Sequence, residues 1–242
     1  MQINKNLHVL HITADLGGHP FSFRLPVLVN EDQIMLVDSG LPGGWPLIKE
    51  ELVADGLGEK ELVGIILTHQ DFDHIGGVAA ILNDYPEALV IALDEEVSYL
   101  NGEQPFVKLT PERMQTLPAA FQDKFGRAND NVTKIVSDGD TMTFGRTWQF
   151  VATPGHTPGH MSLYDAQDKL LITGDALRID GDKLTPPAPQ NTPDYPTAID
   201  SVAKLAELPI ENVIAYHDGM LQGSEFNAEM LQMVRNYLAE GL

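Results

Sequence analysis

A ten-residue stretch in the first half of the chain, THQDFDHIGG, contains four side chains of the types that bind metal ions. They are His69, Asp71, Asp73 and His74. The stretch follows an apolar, β-branched run at 63–67, so the ligands would leave the end of a buried strand. In an extended chain, residues two positions apart point to the same side, and adjacent residues diverge. This spacing predicts two neighbouring metal sites, and the Gly-Gly pair that follows allows close approach of the backbone.

A structural role for these residues is the alternative. Asp71 or Asp73 could cap the next helix, and His69 could be a buried histidine of the core. Either role would be ordinary for one such residue alone. Four of them within six positions at the end of a strand favour metal binding.

Three further segments place a histidine or an aspartate in a loop or at the end of a strand. TPGHTPGH contains two Gly and two Pro, which exclude a regular helix or strand, so His156 and His160 lie on a stiff loop. The apolar run LITGD ends at Asp175, and VIAYHDG leads to His217. Each segment is a weak signal by itself, because strands often end in such residues. Four such segments in one chain favour a metal centre.

Short β-like runs separated by Gly, Pro and Asp predict the elements that carry these segments. We expect strands at 8–13, 23–30, 33–38, 63–67, 88–93, 132–136, 141–153, 161–165, 169–174 and 212–217. We expect helices at 45–53, 75–83, 197–207 and 224–239, and a Pro-rich loop from 175 to 196. Strands, then a helix, then a strand in two similar halves indicate a sandwich of two sheets with helices outside. No linker marks a boundary, so we predict a single domain, 1–242.

Residues 95–130 interrupt this rhythm with irregular, Pro-containing helical sequence. We interpret them as a helical insertion, which either covers the site as an apolar lid or forms a surface connection. The apolar side chains concerned are Tyr99, Phe106, Met114, Leu117 and Phe121.

The order of the motifs, THxxxDHxGG, TPGHTPGH, TGDA and a late His-x-Gly, resembles the metallo-β-lactamase superfamily. The chain is similar to its small bacterial metal-dependent hydrolases, near the lactonase and glyoxalase II branches, over nearly its whole length from about Ile12. The resemblance implies an α/β fold, a four-layer αβ/βα sandwich of two mixed β-sheets with helices on the outer faces. The segment LVDSG matches the family's first motif, in which the aspartate, here Asp38, supports the ligands and does not bind metal.

The resemblance also implies the metal ligands. The first ion would be held by His69, Asp71 and His156. The second ion would be held by Asp73, His74 and His217. Asp175 would bridge both ions together with a water or hydroxide.

Further roles follow from the same resemblance. Asp73 and Asp175 would be catalytic, Asp73 by handling a proton after attack and Asp175 by keeping the metals paired. Asp38 and Thr157 would orient the histidines through hydrogen bonds. His160 matches the second loop histidine of the family, which supports or packs and is usually not a ligand; a direct function is the alternative.

Position 71 departs from the family pattern H-x-H-x-D-H, because Asp71 stands where the second histidine usually stands. A carboxylate still binds Zn²⁺, Mn²⁺ or Fe²⁺, and it shifts preference toward oxygen-loving metals. Its extra negative charge should make the bound water a little less acidic than in an all-histidine site.

The charges of the ligand set also predict the number of ions. Two divalent ions would balance three carboxylates and one hydroxide, and a neutral cluster avoids a large burial penalty. We expect two divalent metal ions, zinc first, with Mn or Fe as the options that Asp71 opens. One ion is the alternative if Asp71 points away.

The chemistry of such a centre is hydrolysis, because a bound metal lowers the pKa of water and polarises a carbonyl or phosphoryl oxygen. We predict a hydrolase that uses a metal-bridging hydroxide to cleave an ester, lactone or thioester. One alternative is a phosphodiester hydrolase. Another is a diiron oxygen-reducing redox protein, which shares a carboxylate at the second ligand position but uses a fused flavodoxin domain. A third is an inactive metal-binding scaffold.

The sequence defines the substrate less closely. Lactonases of this fold often carry a tyrosine three residues after the bridging aspartate, where this chain has Arg178, and this disfavours an acyl-homoserine lactone. Arg178 and Phe72 are candidate substrate-binding residues, Arg178 for a carboxylate or phosphate unless it pairs with Asp180 or Asp182. No basic glutathione-clamp pattern is visible, which disfavours glyoxalase II activity.

Composition restricts the partners. Fifteen Lys and Arg against thirty-five Asp and Glu give a net charge of −20, which disfavours nucleic acid and anionic membranes. No apolar run approaches the roughly 18 residues that span a bilayer, and the N-terminal sequence lacks a signal-peptide pattern. The absence of cysteine excludes disulfides and thiolate ligands and fits a reducing compartment. We therefore expect a cytoplasmic monomer or homodimer that acts on a small molecule.

Overall fold

The computed structural model describes residues 1–15 and 18–240, so four residues of the predicted domain 1–242 lie outside the described part. The chain divides into two compact units, Met1–Val136 and Ser137–Leu242. Each unit contains a mixed β-sheet together with helices. The α/β class with two mixed sheets, expected from the sequence, is confirmed. The single domain stays a prediction.

The sheet of the first unit has seven strands that neighbour one another in chain order. They are β1 (Gln2–Asn4), β2 (Leu7–Asp15), β3 (Pro20–Asn30), β4 (Gln33–Val37), β5 (Glu61–Ile66), β6 (Leu89–Leu93) and β7 (Lys134–Val136). Strands β1 to β4 pair antiparallel, whereas β4 to β7 pair parallel. The inner strands are apolar and buried, β4 and β5 among them. Because β4 to β7 run parallel, their carboxyl ends lie at one edge of the sheet, where polar loops can meet.

The described residues of the same unit form six helices. They are α1 (Trp45–Ala54), α2 (Phe72–Ile75), α3 (Val78–Asp84), α4 (Asp94–Leu100), α5 (Pro111–Met114) and α6 (Ala119–Phe125). The helix expected at 75–83 is confirmed from Val78 onward but begins later than expected, because two short helices meet at Gly76-Gly77. A Cβ at Gly76 would lie 2.1 Å from the backbone nitrogen of Pro42, and one at Gly77 would lie 2.2 Å from the carbonyl oxygen of Ser39. The glycines are therefore required for contact between backbone segments.

The insertion predicted at 95–130 contains α4, α5 and α6. Three of its rings, Phe106, Phe121 and Phe125, are buried and pack with centroids 5.0 to 6.4 Å apart. Phe106 and Phe121, considered above as lid residues, thus form a small aromatic core within the segment. A lid function of the segment stays a prediction.

The sheet of the second unit has six strands, in the order β15-β14-β11-β10-β9-β8. These are β8 (Thr141–Phe144), β9 (Arg146–Ala152), β10 (Met161–Asp165), β11 (Leu170–Ile172), β14 (Asn212–Ala215) and β15 (Gly219–Gln222). Only the pair β11–β14 is parallel. A separate hairpin, β12 (Arg178–Asp180) with β13 (Lys183–Thr185), lies where the sequence predicted only a Pro-rich loop. Its turn residue Gly181 has φ of 61°, a conformation that glycine adopts without strain.

Two helices cover one face of this sheet, α7 (Tyr195–Leu205) and α8 (Phe226–Glu240). Val202 and Leu205 of α7, and Phe226 and Met230 of α8, are buried in one apolar cluster with strand residues such as Val213. Asp194 caps α7, because its carboxylate accepts a hydrogen bond from the backbone N–H of Thr197 at 3.2 Å. Among the described residues, no helix combines the length and apolar character that a membrane crossing requires.

Candidate metal-binding residues

The ligand motif of the first unit begins where β5 ends and continues into α2. Thr68, His69 and His74 are fully buried, and Asp71 and Asp73 have 18% and 14% of their side chains exposed. The extended geometry expected for 69–73 is wrong at its end, because Asp73 belongs to helix α2. Asp71 occupies the N-cap position of α2 with extended backbone, and its carbonyl oxygen accepts the first helical hydrogen bonds.

Asp38 holds the histidines of this motif from the end of β4. Its φ of 66° is left-handed, a conformation that aspartate tolerates better than most residues, and its side chain is buried. The carboxylate accepts hydrogen bonds from the backbone N–H of Thr68 at 2.8 Å and from the Thr68 hydroxyl at 2.9 and 3.0 Å. It also accepts from Nδ1 of His74 at 2.8 Å. Asp38 therefore holds Thr68 and the ring of His74, and its support of metal ligands stays a prediction.

These bonds fix the tautomers of both histidines. The Thr68 hydroxyl donates its one proton to Asp38, so it accepts from Nδ1 of His69, 2.9 Å away. Nδ1 of His74 donates to the same carboxylate. Because Nδ1 carries the proton in each ring, the lone pair lies on Nε2, the atom that a metal would take. Thr68 has this orienting role although the sequence assigned it none.

His156 lies in the Gly- and Pro-rich loop of the second unit, which α7 holds in place. A Cβ at Gly155 would lie 2.3 Å from the backbone nitrogen of Ala198, so only glycine fits there. The Ser201 hydroxyl donates to the carbonyl oxygen of Pro154 at 2.7 Å. Nδ1 of His156 lies 3.4 Å from the Thr192 hydroxyl, which itself donates to a carbonyl oxygen. Nδ1 is thus the donor, and Nε2 carries the lone pair.

His160, in the same loop, connects two elements of this unit by hydrogen bonds. Its Nε2 accepts from the backbone N–H of Asp175 at 2.9 Å, and its Nδ1 donates to the Thr153 hydroxyl at 2.8 Å. The hydrogen bonds continue from Thr153 to Ser162, whose hydroxyl donates to the Thr173 carbonyl oxygen. His160 therefore positions the backbone of Asp175, and its supporting role in a metal centre stays a prediction.

Asp175 follows β11 and lies beside two histidines of its unit. Its Oδ2 is 3.3 Å from Nε2 of His156 and 3.3 Å from Nε2 of His217. In the first unit, Nε2 of His69 is likewise 3.3 Å from Oδ2 of Asp71. Nε2 of His74 is farther from Asp73, at 3.9 Å.

These separations fit a divalent metal. Two ligand atoms bound at 2.0–2.1 Å to one tetrahedral ion lie roughly 3.3 Å apart. Good N–H···O hydrogen bonds are shorter, with a most common length near 2.9–3.0 Å. The donor set of imidazole nitrogens and carboxylate oxygens is the one that zinc and the neighbouring transition metals take. The pairs His69–Asp71, His156–Asp175 and His217–Asp175 therefore have the separation of two ligands of one ion.

The remaining predicted residues lie near these groups with other contacts. Arg178 pairs with Asp218 at 3.0 Å, and not with Asp180 or Asp182 as the sequence suggested. Asp218 follows His217, a predicted ligand, so the carboxylate that binds Arg178 belongs to the motif segment. Phe72 lies under the guanidinium of Arg113, 5.2 Å from the ring centroid. The backbone oxygen of Thr157 accepts from Gly155 and His160, so this threonine shapes the loop.

Two residues near the ligands were not anticipated. The Thr192 hydroxyl contacts Nδ1 of His156, although the two residues are 36 positions apart in sequence. The Lys108 ammonium binds Oδ2 of Asp71. Neither has a sequence signal of its own, since each is a single polar residue in an irregular segment.

Comparison with known proteins agrees with these motifs. Residues 23–217 match the family model of the metallo-beta-lactamase superfamily. The probable metallo-hydrolase YflN of Bacillus subtilis (strain 168) is 32% identical over 216 residues, 82% of this chain and 80% of YflN. A hydroxyacylglutathione hydrolase of Photorhabdus laumondii is 32% identical over 152 residues, 62% of this chain. The aligned part is 45% of that enzyme, so the chain matches less than half of its length.

Solved structures are similar over almost the whole chain. The metallo-beta-lactamase family protein TTHA1429 of Thermus thermophilus superposes with a TM-score of 0.72 at 19% identity. The superposition covers 98% of this chain and 81% of TTHA1429. At this identity, the likeness shows the fold.

Proposed function

The chain belongs to the metallo-beta-lactamase superfamily and is a metallo-hydrolase; from that premise we propose that it cleaves an ester, lactone or thioester with two divalent metal ions. One observation carries the proposal. In both units, a histidine whose Nδ1 is held by a hydrogen bond has its Nε2 3.3 Å from a carboxylate oxygen. Such pairs are suited to bind metal and not to serve as ordinary ion pairs.

The proposed ligand set follows the family pattern. The first ion would be held by His69, Asp71 and His156. The second would be held by Asp73, His74 and His217. Asp175 would serve both ions, which is consistent with its nearness to both His156 and His217. Zinc is the first choice for both ions, with Mn or Fe as alternatives because of Asp71.

The protein's own residues orient the ligand side chains and transfer a proton. When bound, divalent ions supply a water of lowered pKa and polarise the scissile carbonyl oxygen. Asp38 and Thr68 hold two imidazoles in the ligating tautomer, and His160 positions the backbone of Asp175. Asp73, partly exposed, is suited to take a proton from the nucleophile and return it to the leaving group. The chain has no cysteine, so no thiol nucleophile enters.

Within this substrate class, similarity to hydroxyacylglutathione hydrolases supports a thioester, although the clamp pattern expected of such enzymes is not legible in the sequence. The pairing of Arg178 with Asp218 weighs against Arg178 as the main group for a substrate anion. Phe72 remains a proposed substrate contact. A small-molecule substrate, a monomer or homodimer, and a cytoplasmic location stay predictions.

The proposal is tested by a turnover screen with metal-loaded and chelator-treated protein. We expect hydrolysis of a thioester, an aryl ester or a lactone by the loaded protein, loss after chelation, and recovery with zinc. The variant His156→Ala should lose turnover by orders of magnitude while keeping its far-UV circular dichroism. Turnover of a phosphodiester alone, or oxygen reduction by an iron-loaded form, would contradict the proposal.

A further inference from the structure

Lys108 contacts the carboxylate of Asp71, the residue that stands where the family usually has the second histidine of the ligand motif. Its ammonium binds Oδ2 of Asp71, and this same oxygen is 3.3 Å from Nε2 of His69. Both side chains of the ion pair are largely buried, with 21% of Lys108 and 18% of Asp71 exposed. A pair at this depth is screened by solvent much less than a surface pair, so its charge acts on neighbouring ligands.

The inserted segment that carries Lys108 is fixed to the ligand loop at two further points. The backbone N–H of Val107 donates to Oε1 of Gln70 at 2.7 Å. The backbone N–H of Gln70 donates to the buried carboxylate of Glu96 at 2.8 Å. Gln70 stands between His69 and Asp71, so the position of Lys108 is set by bonds to the loop that it serves.

The net charge of the Asp71–Lys108 pair determines how the pair affects an ion in the proposed first site. An aspartate in place of a neutral imidazole adds one negative charge to the proposed first site. An ammonium on that aspartate removes the difference, so Asp71 and Lys108 together carry the net charge of a histidine. The expectation that the negative charge of Asp71 makes the bound water less acidic did not include Lys108, and it no longer follows.

We propose that Lys108 is a positioning residue for the metal centre, and that Asp71 and Lys108 act as one unit that replaces an imidazole ligand. The inference rests on the proposed function, because it presupposes that Asp71 binds an ion. It implies that the effect of substituting Asp71 on metal binding depends on which residue stands at position 108, and the reverse.

A double-mutant cycle with Lys108→Met and Asp71→His tests this interdependence. The readouts are the dissociation constant for zinc, measured by chelator competition, and the visible absorption of the Co(II)-loaded protein. Lys108→Met should tighten zinc by about tenfold or more, because an ammonium that repels the ion is removed. Asp71→His should weaken zinc by about tenfold, because it leaves that ammonium beside a neutral imidazole, with no carboxylate to offset its charge. In the Lys108→Met background, Asp71→His should change zinc affinity little.

Two controls keep the test specific. Lys108→Arg preserves the charge and should restore the wild-type affinity and Co(II) spectrum. Arg127→Met removes one positive charge from an exposed position of the same segment and should leave both unchanged. Effects of the two substitutions that add within about twofold, with an unaltered Co(II) spectrum in Lys108→Met, would overturn the inference. Failure of the wild-type protein to bind zinc or cobalt would instead overturn the proposed function.

Discussion

At the scale of single residues, Asp38 links several parts of the ligand motif. One buried carboxylate accepts from the backbone and hydroxyl of Thr68 and from the ring of His74, and through Thr68 it orients His69. Its left-handed backbone places the side chain at this point directly after β4. The hydrogen bonds of this one carboxylate thereby determine which nitrogen of two proposed ligands carries the proton.

Replacing Asp38 with asparagine should therefore weaken metal binding without removing a ligand. We expect zinc affinity to fall by about 10- to 100-fold, the usual effect of losing such a supporting group. Chelator competition measures this effect, with Asp123→Asn, a substitution in α6, as the control. Zinc affinity within twofold of wild type would show that Asp38 does not orient the ligands.

At the scale of elements, the junction of α2 and α3 depends on close backbone contact. Gly76 has ordinary helical φ, so alanine would cost nothing in conformation, but its Cβ would lie 2.1 Å from the Pro42 nitrogen. We expect Gly76→Ala to lower the free energy of unfolding by about 2 kcal/mol or more, measured by urea denaturation of the apoprotein.

Gly56→Ala provides the matched control for that substitution. Gly56 has φ of 75° and no atom near its absent Cβ, so alanine there costs only left-handed strain of about 1 kcal/mol. A Gly76→Ala variant that is less destabilised than Gly56→Ala would contradict this prediction, because it would show that the loop after β4 moves readily to accommodate the added methyl group.

The loop before β8 contributes a pH-dependent interaction. Burial opposes the ionisation of Asp138, but its bonds to the Lys204 ammonium and the Ala152 N–H lower its pKa below the ordinary value. A lowered pKa in the folded state stabilises above the unfolded pKa, near 4, and the gain is lost as pH falls through the folded value.

Asp138→Asn should accordingly reduce the unfolding free energy by roughly 0.5–1 kcal/mol at pH 7, a modest value because half of the side chain is exposed. The difference from wild type should shrink as pH falls below about 4. Urea denaturation of the chelated proteins at several pH values measures this difference, with exposed Asp182→Asn as the control. A difference that is constant from pH 7 to pH 3 would contradict it.

The elements that the sequence predicts well are those with local signals. The apolar runs at 23–30 and 161–165 became strands because their side chains alone specify burial. The split at Gly76 was missed because its cause is a contact with Pro42, 34 positions away. The hairpin β12–β13 was missed because the prolines that follow it are typical of an irregular loop.

The same distinction applies to the proposed site. Motif residues such as His69 and His156 are proposed as ligands from spacing and resemblance. Lys108 and Thr192 could not, since only the folded chain places them on Asp71 and His156.

At the scale of the whole molecule, the family match spans both compact units, from residue 23 to 217. The net charge of −20 favours divalent cations near the protein in general, so a specific centre must be separated from loose surface binding.

The most direct test of the account is the zinc content of the protein after dialysis, paired with turnover of the best ester or thioester. The account predicts two tightly bound zinc ions per chain, with turnover rising in proportion to occupancy. It also predicts a lower zinc content and lost turnover in His156→Ala. A wild-type protein that retains no zinc, or a His156→Ala variant with full zinc and full turnover, would contradict it.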